Sequence, residues 1–189
     1  MNRIRTLPLL LAAGLAATSL AAGPVLATDY VQIDGHLGFT SAFQGQSFDG
    51  VLPGFQTRLS FDPAAPEDAR LEVVIPLADA STDNPDRDTT LQTPDFFDVG
   101  NHAQAHYRAT GFQAMGEGRW RTEGTLELRG VQHTVPLEFT LDGEAPLVLT
   151  GEATLSRLAF GVGGGDWADV SLIPDQVSVS TRVEFVPAS

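Results

Sequence analysis

The 189-residue chain contains no cysteine, which excludes disulfide bonds and thiolate metal sites. It also contains no lysine, because all 11 basic residues are arginine, and with 24 acidic residues the formal net charge is −13. A chain this acidic repels phosphate backbones and anionic lipid head groups, so we expect no binding to nucleic acid and no stable docking on a membrane surface. Stability must come from apolar burial and backbone pairing alone.

The N-terminal segment has the features of a secretory signal. Arg3 and Arg5 precede an uncharged apolar run from Leu7 to Ala22, and Val25-Leu26-Ala27 offers a small-residue cleavage site. The run is short for a membrane-spanning helix, which needs about 20 apolar residues. We therefore predict that residues 1–27 are a signal peptide, and that the mature protein is periplasmic and not inserted in the membrane.

Beyond the signal the chain has no long amphipathic helical stripe, and apolar side chains instead recur at every second position. The clearest run is residues 177–185, VSVSTRVEF, where every even position is polar. A period of two is typical of half-buried β-strands. Similar runs predict eight strands, near residues 30–40, 50–61, 70–78, 104–113, 119–129, 133–141, 147–162 and 176–186. Most connections are short, so sequential neighbours should pair antiparallel.

Residues 28–189 are predicted to form one all-β domain. A sheet with one apolar face must cover that face, and closure into a barrel also removes exposed strand edges. We predict an eight-stranded antiparallel up-and-down β-barrel, with a two-sheet sandwich as the alternative. A barrel of eight strands is just wide enough to be filled by its own side chains or to hold one slim ligand.

The long connection at residues 79–101 is the exception to the strand pattern. A connection of this length is usually functional, and we predict one or two short helices in it. Helix starts are indicated at residues 88–91 and 93–97, the second with Thr93 as cap and Pro94 at the first helical position. The natural place to bury the apolar side chains of this segment is the mouth of the barrel; they are Leu91, Phe96 and Phe97.

Several motifs together resemble the YceI-like family of bacterial proteins. In chain order they are Arg87-Asp88, Leu91, Asp95-Phe96-Phe97-Asp98, the run from Gly124 to Val131, and Arg157 with Phe160-Gly161-Val162-Gly163. The resemblance covers almost all of the chain after the signal. It implies a lipocalin-like barrel whose apolar interior holds a long isoprenoid chain, such as a polyprenyl phosphate or the tail of a quinone, including ubiquinone. The run from Phe160 to Gly163 followed by Trp167 is most similar to members encoded beside, or fused to, b-type membrane cytochromes.

The candidate ligand-binding residues are large apolar side chains on the predicted inward faces and at the mouth. They are Phe39, Phe55, Phe61, Leu91, Phe96, Phe97, Tyr107, Phe112, Leu126, Leu128, Phe139, Phe160 and Trp167. Either all of them fill a solid core, or a subset leaves a tunnel where an isoprenoid chain gains about 0.8 kcal/mol per buried methylene. Arg87 and Arg157 lie inside the family motifs. Each could bind a phosphate or quinone oxygen at the mouth, or instead hold a loop by pairing with Asp88 or Asp95.

The histidines do not indicate a metal site. His102 and His106 would share a face on a helix, but in a strand they lie about 13 Å apart, too far to bind one ion. No Gly-x-Ser-x-Gly elbow occurs, and the glycine run at residues 161–165 is not followed by a helix that could face a phosphate. We expect no catalytic residues, no metal and no covalent cofactor.

The sequence thus predicts a non-enzymatic periplasmic binding or carrier protein for a long-chain isoprenoid lipid. Two alternatives stay open. The first is a structural or interaction module with a solid core that binds no ligand. The second is an accessory protein of a b-type membrane cytochrome, acting by contact or by handing over quinone. A homodimer is a further option that the sequence leaves open.

Overall fold

The computed structural model describes residues 27–188, so the predicted signal peptide, apart from Ala27, lies outside the described residues. The described part contains ten strands and one α-helix, α1, at Pro85–Leu91. The strands are β1 Thr28–Phe43, β2 Gln46–Val51, β3 Gln56–Phe61, β4 Arg70–Pro76, β5 Gln104–Thr110, β6 Gln113–Gly116, β7 Arg119–Leu128, β8 Val131–Asp142, β9 Leu147–Ser156 and β10 Gln176–Pro187. Three 3₁₀ turns lie at Pro66–Asp68, Leu158–Phe160 and Gly165–Trp167.

The strands form one antiparallel sheet that closes on itself. Its order is β10-β9-β8-β7-β5-β4-β3-β1-β2, and β1 also pairs with β10. Strand β1 pairs with β3 through its first residues and with β2 through its last, so β2 and β3 act as one interrupted barrel strand. In the same way β5 and β6 both pair with β7. The barrel therefore has eight strands, as predicted from the alternation.

Tight turns connect several neighbouring strands. Gln44-Gly45 joins β1 to β2 and Arg129-Gly130 joins β7 to β8, with positive φ at both residues of each pair. Two-residue turns of this kind match the right-handed twist of the strands that they join. The glycine at the second position accepts the left-handed conformation at little cost.

One end of the barrel is closed by an aromatic cluster. Phe61 lies 5.3 Å from Trp120 and 5.7 Å from Phe112, and Phe112 lies 4.9 Å from Phe139, measured between ring centroids. The Phe61–Trp120 and Phe112–Phe139 pairs meet edge to face, the arrangement that aromatic quadrupoles favour. We call these four rings the closed-end cluster.

The opposite end carries the two long connections, residues 77–103 after β4 and residues 157–175 after β9. Helix α1 lies in the first. It starts at Pro85 rather than near residue 88, because Asn84 caps it by accepting a hydrogen bond from the backbone N–H of Arg87 at 3.0 Å. The second predicted helix start, at residues 93–97, forms turns instead. Within residues 27–188 no helix is long and apolar enough to cross a membrane.

The predicted strand at residues 147–162 is too long by six residues. Strand β9 ends at Ser156, and Leu158–Phe160 forms a 3₁₀ turn. Arg157 has helical φ and ψ angles of −63° and −37°, which turns the chain out of the sheet. Strand β9 therefore ends immediately before Arg157, whose side chain donates hydrogen bonds to backbone carbonyls of the second connection.

Candidate functional site

The barrel encloses a cavity of about 450 Å³ between the closed-end cluster and the two long connections. Pockets for small molecules generally have about 300–1,000 Å³ and a mostly apolar lining. Nine of the thirteen predicted ligand-binding residues line this cavity: Phe39, Phe55, Leu91, Phe96, Phe97, Tyr107, Leu126, Leu128 and Trp167. Arg87 and Arg157 line it as well. That these residues bind a ligand stays a prediction.

The other four candidates lie away from the cavity. Phe61, Phe112 and Phe139 belong to the closed-end cluster. Phe160 is buried behind the cavity wall, where its ring meets that of His133 edge to face at 5.1 Å. Alternation gives the side of a strand to which a residue points, but it does not give the depth of that residue along the barrel.

Much of the cavity wall is formed by aliphatic side chains that are not among the thirteen predicted ligand-binding residues. The inward positions of four strands contribute Leu71, Val73, Ile75, Val135, Leu137, Leu149, Ala153, Leu155, Val177, Val179, Thr181 and Val183. The same odd-numbered alternation that predicted these strands would have identified them. The second connection adds Val162 and Ile173.

The mouth is roofed by the two connections, which are joined to each other. Trp167 meets Phe96 at 5.5 Å and Phe43 at 6.5 Å between ring centroids. The backbone N–H of Gly163 donates to the carbonyl of Asp95 at 2.7 Å. Arg129 donates from Nη2 to the carbonyl of Pro94 at 2.7 Å and from Nη1 to that of Gly161. Sequence reasoning missed this role of Arg129, because its partners are backbone atoms.

Arg157 holds together the second connection, which covers the mouth of the cavity. Its side chain is buried, and all five guanidinium N–H groups donate to backbone carbonyls. These five are all the donors that an arginine side chain has. The acceptors are Pro174 at 3.1 Å, Val162 at 2.9 Å, Gly163 at 2.6 Å, Trp167 at 2.9 Å and Ile173 at 2.8 Å. Burial lowers its pKa, partly opposed by Asp175. Arg157 therefore holds a loop, through carbonyls and not through Asp88 or Asp95, and retains no donor for a head group.

Arg87 lies at the mouth with part of its guanidinium engaged. Its Nε donates to Oγ1 of Thr82 at 2.7 Å and its Nη2 to the carbonyl of Thr82 at 3.0 Å. The guanidinium carbon lies 4.0 Å from the ring centroid of Phe48, a cation–π contact. Asp88 fixes Thr82 in turn. Burial raises the pKa of Asp88, but hydrogen bonds from Thr82 and Ser81 outweigh it, so the net pKa is lowered. The head-group role of Arg87 stays a prediction.

His102 and His106 do not share a site. His102 lies 3.9 Å from the carboxylate of Asp98, within the first connection. His106 lies within β5 beside the inward-facing Tyr107. Among residues 27–188 no three His, Asp or Glu side chains are grouped as a metal site would require.

Tyr107 is a second buried titratable group of the cavity wall. Its hydroxyl donates to the carbonyl of Val135 at 3.0 Å. Its ring packs over Gly124, where an added Cβ would lie 2.2 Å from the ring. Any side chain at position 124 would therefore displace the ring of Tyr107. Burial raises the pKa of Tyr107 to about 12, above the usual value of 10.0.

We predict that stability falls as the pH rises through the window from about 10 to about 12. The unfolded state ionises Tyr107 first and so binds fewer protons than the folded state, which makes the stability slope negative in this window. The full loss is about 2–3 kcal/mol. Urea unfolding at closely spaced pH values measures it. Tyr107→Phe serves as the control and should show a shallower decline, whereas identical slopes for the two proteins would contradict the assignment.

Comparison with known protein families gives a match over nearly the whole described region. The family model for the YceI-like domain matches residues 29–185, in agreement with the motif resemblance. A UPF0312 protein of Pseudomonas fluorescens is 35% identical over 146 residues, which cover 71% of this chain and 73% of the relative.

Two solved structures share the fold at low sequence identity. Burkholderia cenocepacia BcnA has a TM-score of 0.76 at 22% identity, over 79% of this chain and 95% of its own. A polyisoprenoid binding domain from Saccharophagus degradans, implicated in plant cell wall breakdown, has a TM-score of 0.64 at 14% identity, over 86% of this chain and 99% of its own. At these identities the likeness shows a common barrel architecture.

Proposed function

Because the chain belongs to the YceI-like family and its barrel encloses a cavity with a mostly apolar wall, we propose that it binds a long-chain isoprenoid lipid in that cavity and carries it through the periplasm. The proposed ligand classes are a polyprenyl phosphate and a quinone such as ubiquinone. The role requires no chemical change of the lipid and no covalent cofactor.

The observation that carries the proposal is the cavity itself. A slim apolar chain fits the bore of an eight-stranded barrel, and each buried methylene contributes about 0.8 kcal/mol. Ten such groups would contribute about 8 kcal/mol before ordering losses, enough for binding without a polar contact. The name of the Saccharophagus degradans domain gives independent support, since that domain of the same fold is described as polyisoprenoid binding.

A structural module without a ligand is the less favoured alternative. Such a module would use its inward side chains to fill the barrel, as the closed-end cluster does at one end. The space of about 450 Å³ above this cluster favours an occupant instead. A b-type membrane cytochrome as recipient of quinone and a homodimer stay predictions from the sequence.

The proposal is tested on protein expressed with its N-terminal segment and purified from the periplasmic fraction. Organic extraction and mass spectrometry should give an isoprenoid lipid at near one molecule per protein, and the intact mass should lack residues 1–27. An outer-face variant, Thr154→Trp, purified in parallel, should carry the same lipid. Repeated extracts without isoprenoid would contradict binding, and an unprocessed cytoplasmic product would contradict export.

A further inference from the structure

One buried hydroxyl in the cavity wall has no hydrogen-bond partner among residues 27–188. Thr57, on β3, is only 3% exposed and its side chain lines the cavity, yet its Oγ1 makes no hydrogen bond within the part of the chain that the structure describes. A buried hydroxyl left unpaired costs about 1–3 kcal/mol. A bound molecule with a matching polar atom recovers that cost, whereas a hydrocarbon does not.

The backbone around Thr57 is held by an unusual arrangement. Strand β1 pairs with β3 only as far as Val31, and its register against β10 shifts between Gln32 and Asp34. The side chain of Gln32 continues the pairing: its Oε1 accepts from the backbone N–H of Thr57 at 2.8 Å, and its Nε2 donates to the carbonyl of Phe55 at 3.3 Å. The backbone N–H of Thr57 is thus satisfied, and its hydroxyl is the polar group that remains at the cavity.

This hydroxyl lies well inside the barrel. Thr57 pairs with Val73 of β4, and Val73 pairs with Tyr107 of β5, so the three lie on one inward row of the wall. Thr57 is four residues along β3 from Phe61 of the closed-end cluster, which corresponds to about 13 Å. Arg87 lies at the opposite, mouth end of the cavity.

The surroundings determine which chemistry can pair with Thr57. The cationic side chains among the described lining residues are Arg87 at the mouth and Arg157, whose donors are all engaged. A phosphate or carboxylate at the depth of Thr57 would be a buried charge without a counter-ion, at a cost of several kcal/mol. An uncharged oxygen carries no such cost.

We propose that Thr57 Oγ1–H donates a hydrogen bond to an uncharged carbonyl oxygen on the head group of the bound lipid, which enters the barrel head first. This inference rests on the proposed function and narrows it to the quinone class. A polyprenyl phosphate, whose head group must stay at the mouth, gains nothing from Thr57.

The test uses Thr57→Val, which keeps the shape of the side chain and removes the hydroxyl. The probes are a short-tailed prenyl benzoquinone and the prenylbenzene with the same tail, which lacks both carbonyl oxygens. We expect the variant to bind the quinone about tenfold more weakly and the prenylbenzene within about twofold of wild type. The unliganded variant should be as stable as wild type or more stable, because an unpaired buried hydroxyl is removed.

Thr122→Val is the matched control. Thr122 is buried like Thr57 but is not among the cavity-lining residues, and its hydroxyl donates to the carbonyl of Gly111 at 2.8 Å, so its removal should not alter the preference for the quinone. Equal losses on both probes, or no loss on either, would overturn the inference and assign Thr57 to packing or to an ordered water only. If wild type binds the prenylbenzene but gains nothing from the carbonyls, this inference alone fails. If wild type binds neither probe, the proposed function fails with it.

Discussion

Replacing Ala153 with Trp is expected to abolish lipid binding while the barrel still folds. Ala153 lies on β9 opposite Val179 of β10, and both residues line the cavity. Its side chain is small and lines the cavity, so an indole at this position would occupy cavity volume that the ligand needs. Displacing four or five methylene groups would cost about 3–4 kcal/mol, a loss of affinity of several hundred-fold.

The experiment compares lipid content and prenyl-probe affinity of Ala153→Trp with those of Thr154→Trp. Thr154 is the next residue of β9 and is exposed, so its indole points away from the cavity. Both variants should show the same far-ultraviolet circular dichroism and cooperative unfolding, but only Ala153→Trp should emerge from purification without lipid. A native-like Ala153→Trp protein with full lipid occupancy would show that the ligand lies elsewhere.

Replacing Arg157 with Gln is expected to cause the largest loss of stability, about 3–5 kcal/mol. The substitution leaves several buried carbonyls of the second connection without donors, among them those of Val162, Gly163 and Ile173. For a domain of this size the corresponding drop in Tm is about 10 °C. Denaturant and thermal unfolding of the lipid-free protein measure it without a contribution from the ligand.

Two further variants separate the hydrogen-bond network from the charge. Arg157→Lys keeps the positive charge but cannot reach five carbonyls, so it should be nearly as unstable as Arg157→Gln. Arg182→Gln removes an exposed arginine whose side chain bonds to that of Glu184 at 2.7 Å, and it should change stability by no more than about 0.5 kcal/mol. Stability of Arg157→Gln within about 1 kcal/mol of wild type would contradict the role assigned to the network.

The strands could be predicted because their signal is local. Residues 177–185 are polar at every even position and mostly apolar at the odd ones, and the corresponding strand β10 spans Gln176–Pro187. The end of β9 could not be predicted, because apolar residues again occupy every second position beyond it, at Leu158, Phe160 and Val162. What ends the strand is the bonding of Arg157 to distant backbone carbonyls, and every residue type has such a carbonyl.

The cavity was predictable in kind but not in extent. Alternation identified inward faces, and Phe96 and Phe97, for which burial at the mouth was predicted, line the cavity. The depth of Phe61 and Phe139 depends on the stagger between strands, which no local pattern carries. Thr57 was not considered at all, since whether its hydroxyl has a partner depends on contacts with distant parts of the chain, which no local pattern shows.

The pairing of β1 with β10 also bears on how the molecule is made. His36 and Thr181, joined by a hydrogen bond, are 145 positions apart in the chain. The barrel therefore cannot close until β10, the last strand, pairs with β1. Topologies dominated by contacts between residues far apart in the sequence fold on millisecond-to-second timescales. Before closure no disulfide restrains the chain, and the unpaired edges of β1 and β10 are the surfaces on which self-association would begin.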